Sequence, residues 1–434
     1  MSDVSKKLVI IGSVWPEPDS SAAGKRMLQL IELFQGQSRD VVFASAAAPS
    51  EHQADLSPMN VRQEPIRLNC SSFDHWIVEQ NPAAVVFDRF MTEEQFGWRV
   101  TRYCPDALRI LDTEDLHSLR AARRQRLRTS QADCQSESER QSVGPVLASP
   151  QDIADQMLGT DLTLRELASI YRSDLSLMVS QYEMDLLQRQ FGLPSELLHY
   201  LPLFAEPVQE PGLSFSQRSD FVSIGNFRHP PNLDSVLWMK HQLWPAVRAC
   251  LPKARLNVYG AYPSPAVMAM NNSDQGFLVK GRAASALEVL GAARVCLAPL
   301  RFGAGIKGKL LDAMRAGTPS VTTSVGAEAM ADDSDWPGVV ADDAASLIEA
   351  CVALAQDENQ WQVAQSRCRR LLGENFSAAK FVTEFAARLS RSMDDLVNLR
   401  RRNLVGAMLN HHHQRSTEYM SRWIETKQQL KSGN

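Results

Sequence analysis

The chain has 434 residues, of which 44% are hydrophobic and 22% charged, with 22 Gly and 22 Pro; this length predicts two or three domains and this composition excludes collagen-like and wholly disordered chains. A formal net charge of −4, from 46 basic and 50 acidic residues, argues against a nucleic-acid partner, which calls for a basic excess or a basic face. Apolar runs such as Leu8–Ile11 and Val295–Leu300 fall far short of the roughly 18 residues of a bilayer-spanning helix.

In chain order, Lys7–Ile11 reads as a strand ended by Gly12, followed by a Pro-, Asp- and Ser-rich loop (Trp15 to Ser21) and an amphipathic helix over Ala22–Phe34. Strands are expected at Val41–Ala44, Ala84–Phe87 and Leu108–Leu111, with helices between them. Residues 129–160 are polar and read as a mobile loop. Helix resumes near Leu162, Leu175–Val179 reads as a strand, and Ser180 with Glu183 matches a capping box. The stretch around Pro207, Pro211, Ser214 and Ser216 is the expected domain boundary. Beyond it a second series gives strands at Phe221–Ile224, Arg255–Tyr259, Val279–Lys280, Val295–Ala298 and Ser320–Thr323. Residues 379–428, with no Pro and one Gly, read as nearly continuous helix. The expected division is therefore 1–205, 214–378 and a helical 379–434. Strands alternating with helices predict two parallel α/β units, whose ligand sits beyond the carboxyl ends of the strands. The seven cysteines show no CxxC pair and are odd in number, so they read as reduced thiols and not as a zinc site. The N-terminus does not read as a signal peptide, and a cytoplasmic protein is expected.

The segment Val295–Gly317 carries most of the chemistry. It runs strand, glycine-rich turn, helix. Gly303 and Gly305 permit a tight turn and close approach of backbone to a ligand. The following helix start offers unpaired N–H groups and a positive dipole end to an anion, and Lys307 and Lys309 add charge. A phosphate site follows. Gly303 to Gly308 spells GxGxxG, the dinucleotide fingerprint, but the next strand ends in Thr322-Thr323 where an acidic residue should hold a ribose. Gly303 to Lys309 spells most of a Walker A loop, but Leu310 stands where Ser or Thr must bind magnesium.

A third phosphate chemistry fits better. Residues Phe221 to about Ala329 resemble the C-terminal domain of retaining glycosyltransferases of the GT-B type, the family-four group. The resemblance rests on Ser223–Asp234, Pro252–Gly260, Gly281 and Ala298–Thr323, in the family's order. The N-terminal likeness is looser: the Gly12 loop, the Ser20–Gly24 turn with Ser21, and Asp112–His117 after a strand. The resemblance implies two facing Rossmann-like domains, the first taking the acceptor and the second a nucleotide-diphosphate sugar, with C-terminal helices packing back across both.

It further implies that Gly303, Ala304, Gly305, Ile306 and Lys307 hold the donor diphosphate, with Gly225, Arg228, Gly281 and Arg301 around it. Asp312 falls where the family has a Glu on the ribose, and Ala304 where many relatives have another Glu. Asn226 and Asn232 stand where relatives carry an Arg and a Lys that neutralise the diphosphate; Arg228, Arg301 and Lys307 are the substitutes. Lys307 and His117, a histidine facing the transferred sugar, are the expected catalytic residues. Gly12, Ser21 and Gly24 form the acceptor-side loop. No metal and no cofactor beyond the donor is expected, because positive groups and helix-end N–H groups can stabilise the leaving diphosphate. Asp333-Ser-Asp335, a metal-binding spelling in another transferase fold, reads as surface. The function implied is transfer of a sugar to a glycan, lipid-linked or protein acceptor, in surface polysaccharide, glycan or glycoconjugate synthesis; the alternative is a non-catalytic nucleotide-sugar-binding or partner protein on the same fold.

Two smaller features remain. Arg120–Arg128 holds five arginines in nine residues, suited to anionic headgroups at the inner face of a membrane, to an acidic acceptor, or to a solvated helix. His411-His-His413 points side chains about 100° apart on a helix, which cannot converge on a metal.

Overall fold

The computed structural model describes residues 6–206 and 212–432, with side chains left aside at 333, 412–415 and 432. Pro207 and Pro211 of the expected boundary lie outside the described residues. The first unit is a seven-stranded sheet. Its strands are β1 (Lys7–Gly12), β2 (Asp40–Ser45), β3 (Arg62–Pro65), β4 (Ala84–Asp88), β5 (Leu108–Asp112), β6 (Leu175–Met178) and β7 (Leu198–Tyr200). They lie in the order β3-β2-β1-β4-β5-β6-β7, every pairing parallel. The second unit has β8 (Ser219–Ile224), β9 (Leu256–Tyr259), β10 (Phe277–Gly281), β11 (Ala293–Ala298), β12 (Ser320–Thr322) and β13 (Gly338–Val340), ordered β10-β9-β8-β11-β12-β13 and again wholly parallel.

Both sheets are covered on two faces, so their central strands are apolar runs and not alternating ones. Leu8, Val9, Ile10 and Ile11 are all fully buried, splitting between cores on opposite faces of the first sheet. The three strands that the sequence does not announce, β3, β7 and β13, lie at sheet edges. They are three or four residues long, and Arg62-Gln-Glu-Pro65 has no apolar run to mark it.

Segment 129–160 is not a loop. It contains the end of the helix His117–Ala132 and the helices Glu137–Ser142 and Pro150–Met157. Local chemistry explains this. Ser136 and Glu139 make a reciprocal capping box, Ser149 caps a helix with Pro at its start, and Ile153, Ala154 and Met157 are buried under the first core.

The C-terminal region divides into helices Ala379–Asp394, Leu396–Arg402 and Leu404–Ser432. The first packs back onto the N-terminal unit. Phe385 and Leu389 are buried in its core, Phe385 stands edge-on to Phe34 at 5.6 Å, and Phe381 stacks on Phe204. Trp423 departs from this: it is 58% exposed, because the last helix turns its polar face, and not its apolar one, to the body. Among the described residues no helix is long and apolar enough to cross a membrane.

Candidate active site

Each sheet reverses its strand order once, between β1 and β4 and between β8 and β11, and at such a point the chain leaves a crevice beyond the strand ends. The two crevices face one another. Between them lies a cavity of about 490 Å³, within the size range of ligand pockets. Its N-terminal wall is the loop after β1 with the start of helix Ala22–Gly36, Asp88–Arg89 after β4, and Glu114, Asp115, His117 and Arg120 after β5. The opposite wall is Gly225–Asn232 after β8, Tyr262, and the turn and helix start Gly303–Asp312 after β11.

The structure brings His117, Ser21, Gly24, Gly225, Arg228, Gly303, Ala304, Gly305, Ile306, Lys307 and Asp312 to this cavity. Lys307 is 7% exposed and precedes the helix Gly308–Arg315, which has no side-chain cap. Its Nζ donates to Gly305 O at 2.7 Å. Half-buried Lys309 donates to Asn232 Oδ1 at 2.7 Å. A methyl group on Gly225 would sit 2.8 Å from the Lys309 Nζ, so this ammonium lies against the end of β8. Neither lysine forms an ion pair among the described residues, and burial pushes both down to about 8. Two cations without ion-pair partners beside an open helix N-terminus present the positive charge that suits an anion. Lys309 is the residue that sequence reasoning undervalued.

Several expected members lie elsewhere. Arg301 grips Asp234 through Nε (2.9 Å) and Nη2 (2.6 Å), donates to Val143 O and lies over Trp238. Its charge is consumed and it does not line the cavity. Gly281 lies off the wall; its φ of +72° favours glycine, and its carbonyl accepts from Gly260 N–H at 2.8 Å. Gly12 also stands back from the cavity, where a side chain would collide with the Phe43 ring. The arginine run of helix His117–Ala132 is largely turned inward. Arg120 pairs with Asp115; Arg123 holds Glu328 with both Nη atoms (2.5 and 2.9 Å) and donates to Gly303 O; Arg124 lies over Phe302. These contacts join the two units beside the site, and only Arg128 of the five is fully exposed. A membrane face on this helix is therefore not supported. Asp333-Ser-Asp335 forms a 3-10 turn in which Asp335 pairs with Arg370 at the surface.

Asp312 is already engaged. Lys25, at the start of helix Ala22–Gly36 in the opposite unit, reaches its Oδ2 at 2.5 Å, and Arg315 lies 3.6 Å from Oδ1. Arg228 stacks on Tyr262 at 3.6 Å, and the Tyr262 hydroxyl donates to Glu17 Oε1 at 2.7 Å.

The N-terminal wall is rich in carboxylates. Asp88 Oδ2 accepts from Ser13 N–H and Oγ–H, and Arg89 Nη1 donates to the same Ser13 hydroxyl. Ser13 follows β1, Asp88 ends β4 and Arg89 follows it, so the strand-end rule marks their positions although no motif does. Burial, with the Asp112 charge adding to it, lifts Glu114 well above the usual carboxylate range. Burial pushes His117 down to about 4, partly offset by Asp115, whose Oδ1 lies 3.5 Å from Nε2. The imidazole is neutral at neutral pH.

Glu183 is the residue whose role differs most from its sequence reading. Ser180 Oγ does cap the helix Gln181–Phe191 by accepting from Glu183 N–H. The Glu183 carboxyl does not complete the box. It crosses to the cavity turn, where Oε1 accepts from Gly305 N–H at 2.7 Å and from Leu116 N–H at 3.3 Å. Gly305 N–H is thus not open to a ligand. Burial, reinforced by Asp115, lifts Glu183 to about 8, so the folded state holds a proton that the unfolded chain has released. Stability from this proton is full below the ordinary value of 4.5 and is lost as pH rises toward about 8. Relative to Glu183→Gln, the wild type is therefore expected to lose melting temperature between those limits. A constant difference across that window, read by calorimetry, would contradict the protonated assignment.

Residues 218–357 match the profile of the family described as "Glycosyl transferases group 1"; this span contains β8 to β13 and the cavity wall that carries Lys307 and Lys309. No curated protein matches the chain. Among solved structures the chain is similar to sucrose-phosphate synthase from Thermosynechococcus elongatus, at 14% identity over 90% of this chain and 100% of that one, TM-score 0.61. It is similar to HepE from Anabaena, solved with UDP, at 12% identity over 89% and 100%, TM-score 0.59. It is also similar to the lipopolysaccharide outer core galactosyltransferase WaaB, at 11% identity over 89% and 99%, TM-score 0.55. At these identities the likeness establishes architecture: two facing parallel α/β domains with a helical C-terminal region, the GT-B fold.

Proposed function

We propose that this chain is a retaining, metal-independent glycosyltransferase of the family-four group, hexosyltransferase-like. It would move a sugar from a nucleotide-diphosphate sugar to a glycan, lipid-linked or protein acceptor, in surface polysaccharide, glycan or glycoconjugate synthesis. The observation that carries the reading is the pair of unpaired lysines, Lys307 and Lys309, at the open start of helix Gly308–Arg315, across the cavity from a carboxylate-lined wall. A diphosphate suits the first wall, and an acceptor hydroxyl suits the second. The family profile on the donor side supports the same class, and HepE was solved with UDP-glucose as well as UDP.

In this reading the anomeric C–O bond breaks and its electron pair leaves with the diphosphate. Lys307, Lys309 and the helix-end N–H groups stabilise that charge more in the transition state than before it. The acceptor oxygen bonds to the anomeric carbon on the same face, and its proton passes to the departing phosphate oxygen. Neutral His117 contacts the transferred sugar. Gly225 and the turn Gly303–Lys307 shape the diphosphate subsite, while Asp312 holds the ribose. Ser21 and Gly24 set the acceptor-side loop close to it.

Ribose binding by Asp312 competes with Lys25 for its carboxylate. Lys25→Met is therefore expected to tighten nucleotide-diphosphate binding by about two- to fivefold, the worth of a partly exposed ion pair. Unchanged or weaker binding by titration calorimetry would move the ribose off Asp312.

The non-catalytic alternative draws on Asn226 and Asn232, which stand at the end of β8 where relatives carry cations, and on the consumed Arg301. Incubation with nucleotide sugars separates the two. Release of nucleotide diphosphate, with the donor's anomeric configuration kept in the product, supports the transferase; binding without release over long incubation favours the alternative.

A further inference from the structure

The last helix, Leu404–Ser432, is inside out by the standard of a surface helix, which buries its apolar stripe and shows its polar side. Of its described apolar side chains only Leu409 and Ile424 are half-buried and the rest are exposed, while several of its contacts with the body are polar or backbone-close. Gly406 sits where a side chain would strike Tyr171 O, Ser421 Oγ accepts from Arg99 at 2.9 Å, and Glu425 Oε1 accepts from Ser71 N–H at 2.9 Å. Glu418 pairs with Arg102 of the body and with Arg422. Glu418 and Glu425 are the helix's two acidic residues, so its negative charge is held at the inner side.

The outer side is apolar and basic. Met408 is 57% exposed, Tyr419 71%, Trp423 58% and Leu430 69%. Their spacing places them along one stripe of a helix that is 29 residues long, about 43 Å at roughly 1.5 Å per residue. Lys427 and Lys431 are exposed beside them, with the Lys427 ammonium 4.7 Å from the Trp423 ring.

We propose that this outer face is a docking surface for an anionic lipid bilayer, on which the helix lies flat. Large apolar and aromatic side chains flanked by lysines, with no outward acid, match the headgroup boundary of such a bilayer. The same charge pattern argues against a second copy as the occupant, because two such faces would both be positive, with no outward acid on either helix to pair with Lys427 and Lys431. The surface is separate from the cavity and independent of what the cavity binds.

The test is co-sedimentation of the full-length protein with vesicles of equal parts phosphatidylglycerol and phosphatidylcholine, against phosphatidylcholine alone. Wild type is expected to sediment with the anionic vesicles and to dissociate as salt is raised. Tyr419→Ser with Trp423→Ser, and separately Lys427→Glu with Lys431→Glu, are each expected to weaken binding about tenfold or more, at unchanged melting temperature. A second readout uses fluorescence: anionic vesicles should blue-shift wild-type emission, and Trp423→Phe should lose the shift while still sedimenting. Absence of vesicle binding, equal binding to both vesicle types, or indifference to both double variants would overturn the proposal. So would a dimer that Trp423→Ser converts to monomer without any vesicle binding.

Discussion

Replacing Lys307 with methionine is expected to remove most turnover while making the protein harder to unfold. The two effects share one cause. Lys307 is 7% exposed, and its ammonium donates to the Gly305 carbonyl at 2.7 Å with no ion pair among the described residues. Burial lowers it from its ordinary 10.5 to about 8, so below about 8 the folded protein carries an ammonium that would be better solvated in the unfolded chain. Methionine fills the same space without that penalty, a gain of about 3 kcal/mol. The sign of the pH dependence follows. The variant's advantage is full below about 8 and shrinks as pH rises toward 10.5, because the wild type then releases the proton in its folded state. Turnover responds oppositely. A cation aimed at the departing diphosphate oxygen is worth about 10²–10³-fold in kcat, and in the wild type kcat/KM should fall as pH passes about 8. Calorimetry and nucleotide-diphosphate release measure the two halves. A variant that turned over like wild type would remove Lys307 from the mechanism.

Gly305→Val should be the most damaging single change in the cavity. Gly305 has φ +63°, and a Cβ there would lie 2.8 Å from Asp115 Cβ and 3.2 Å from Glu114 O. A non-glycine residue in that conformation costs about 1–2 kcal/mol, more when β-branched. The collision is also directional. It pushes the donor-side turn away from the acceptor-side loop and pulls Gly305 N–H off Glu183. Displacement of the reacting groups by about 1 Å costs on the order of 10²-fold in rate. Gly303→Ala is the control, because its Cβ would meet only Lys307 Cε and Val325 Cγ1 at 3.6 Å, which is ordinary contact. Melting temperature and turnover of the two variants should diverge sharply; similar behaviour would show that the turn does not have to close against the N-terminal unit.

The parts of this site that sequence reveals are those encoded locally. Apolar runs mark β1, β4, β8 and β11, and those four strands define both crevices. Glycines and lysines after β11 mark the anion turn because backbone freedom and positive charge are properties of the residues themselves. What sequence conceals is which charge meets which. Arg301 and Lys309 look equally available along the chain. Asp234, 67 residues from Arg301, consumes one of them, while among the described residues no carboxylate pairs with the other. Glu183 sits at capping-box spacing from Ser180, and nothing local says that its carboxyl will leave the helix for a turn 122 residues away. Segment 129–160 misleads in the opposite direction: low apolar content suggests a loop, whereas a capping box and a Pro start suffice for short helices packed on a neighbour. Trp423 follows the same logic, since periodicity shows that a helix has an apolar stripe without saying which side faces the body.

In the proposed function the cavity between the two switch points binds a nucleotide diphosphate through Lys307 and Lys309. That binding is tested most directly by thermal-shift titration of wild type and of Lys307→Met with Lys309→Met, using UDP, GDP, ADP, TDP and CMP, with NAD and ATP as controls. A ligand at a hundred times its dissociation constant adds about 2.7 kcal/mol of stability, well above detection. At least one nucleoside diphosphate is expected to shift wild type, and the double variant is expected to lose that shift. A shift that survives in the double variant, a shift with NAD alone, or no shift with any nucleotide would contradict the proposed function.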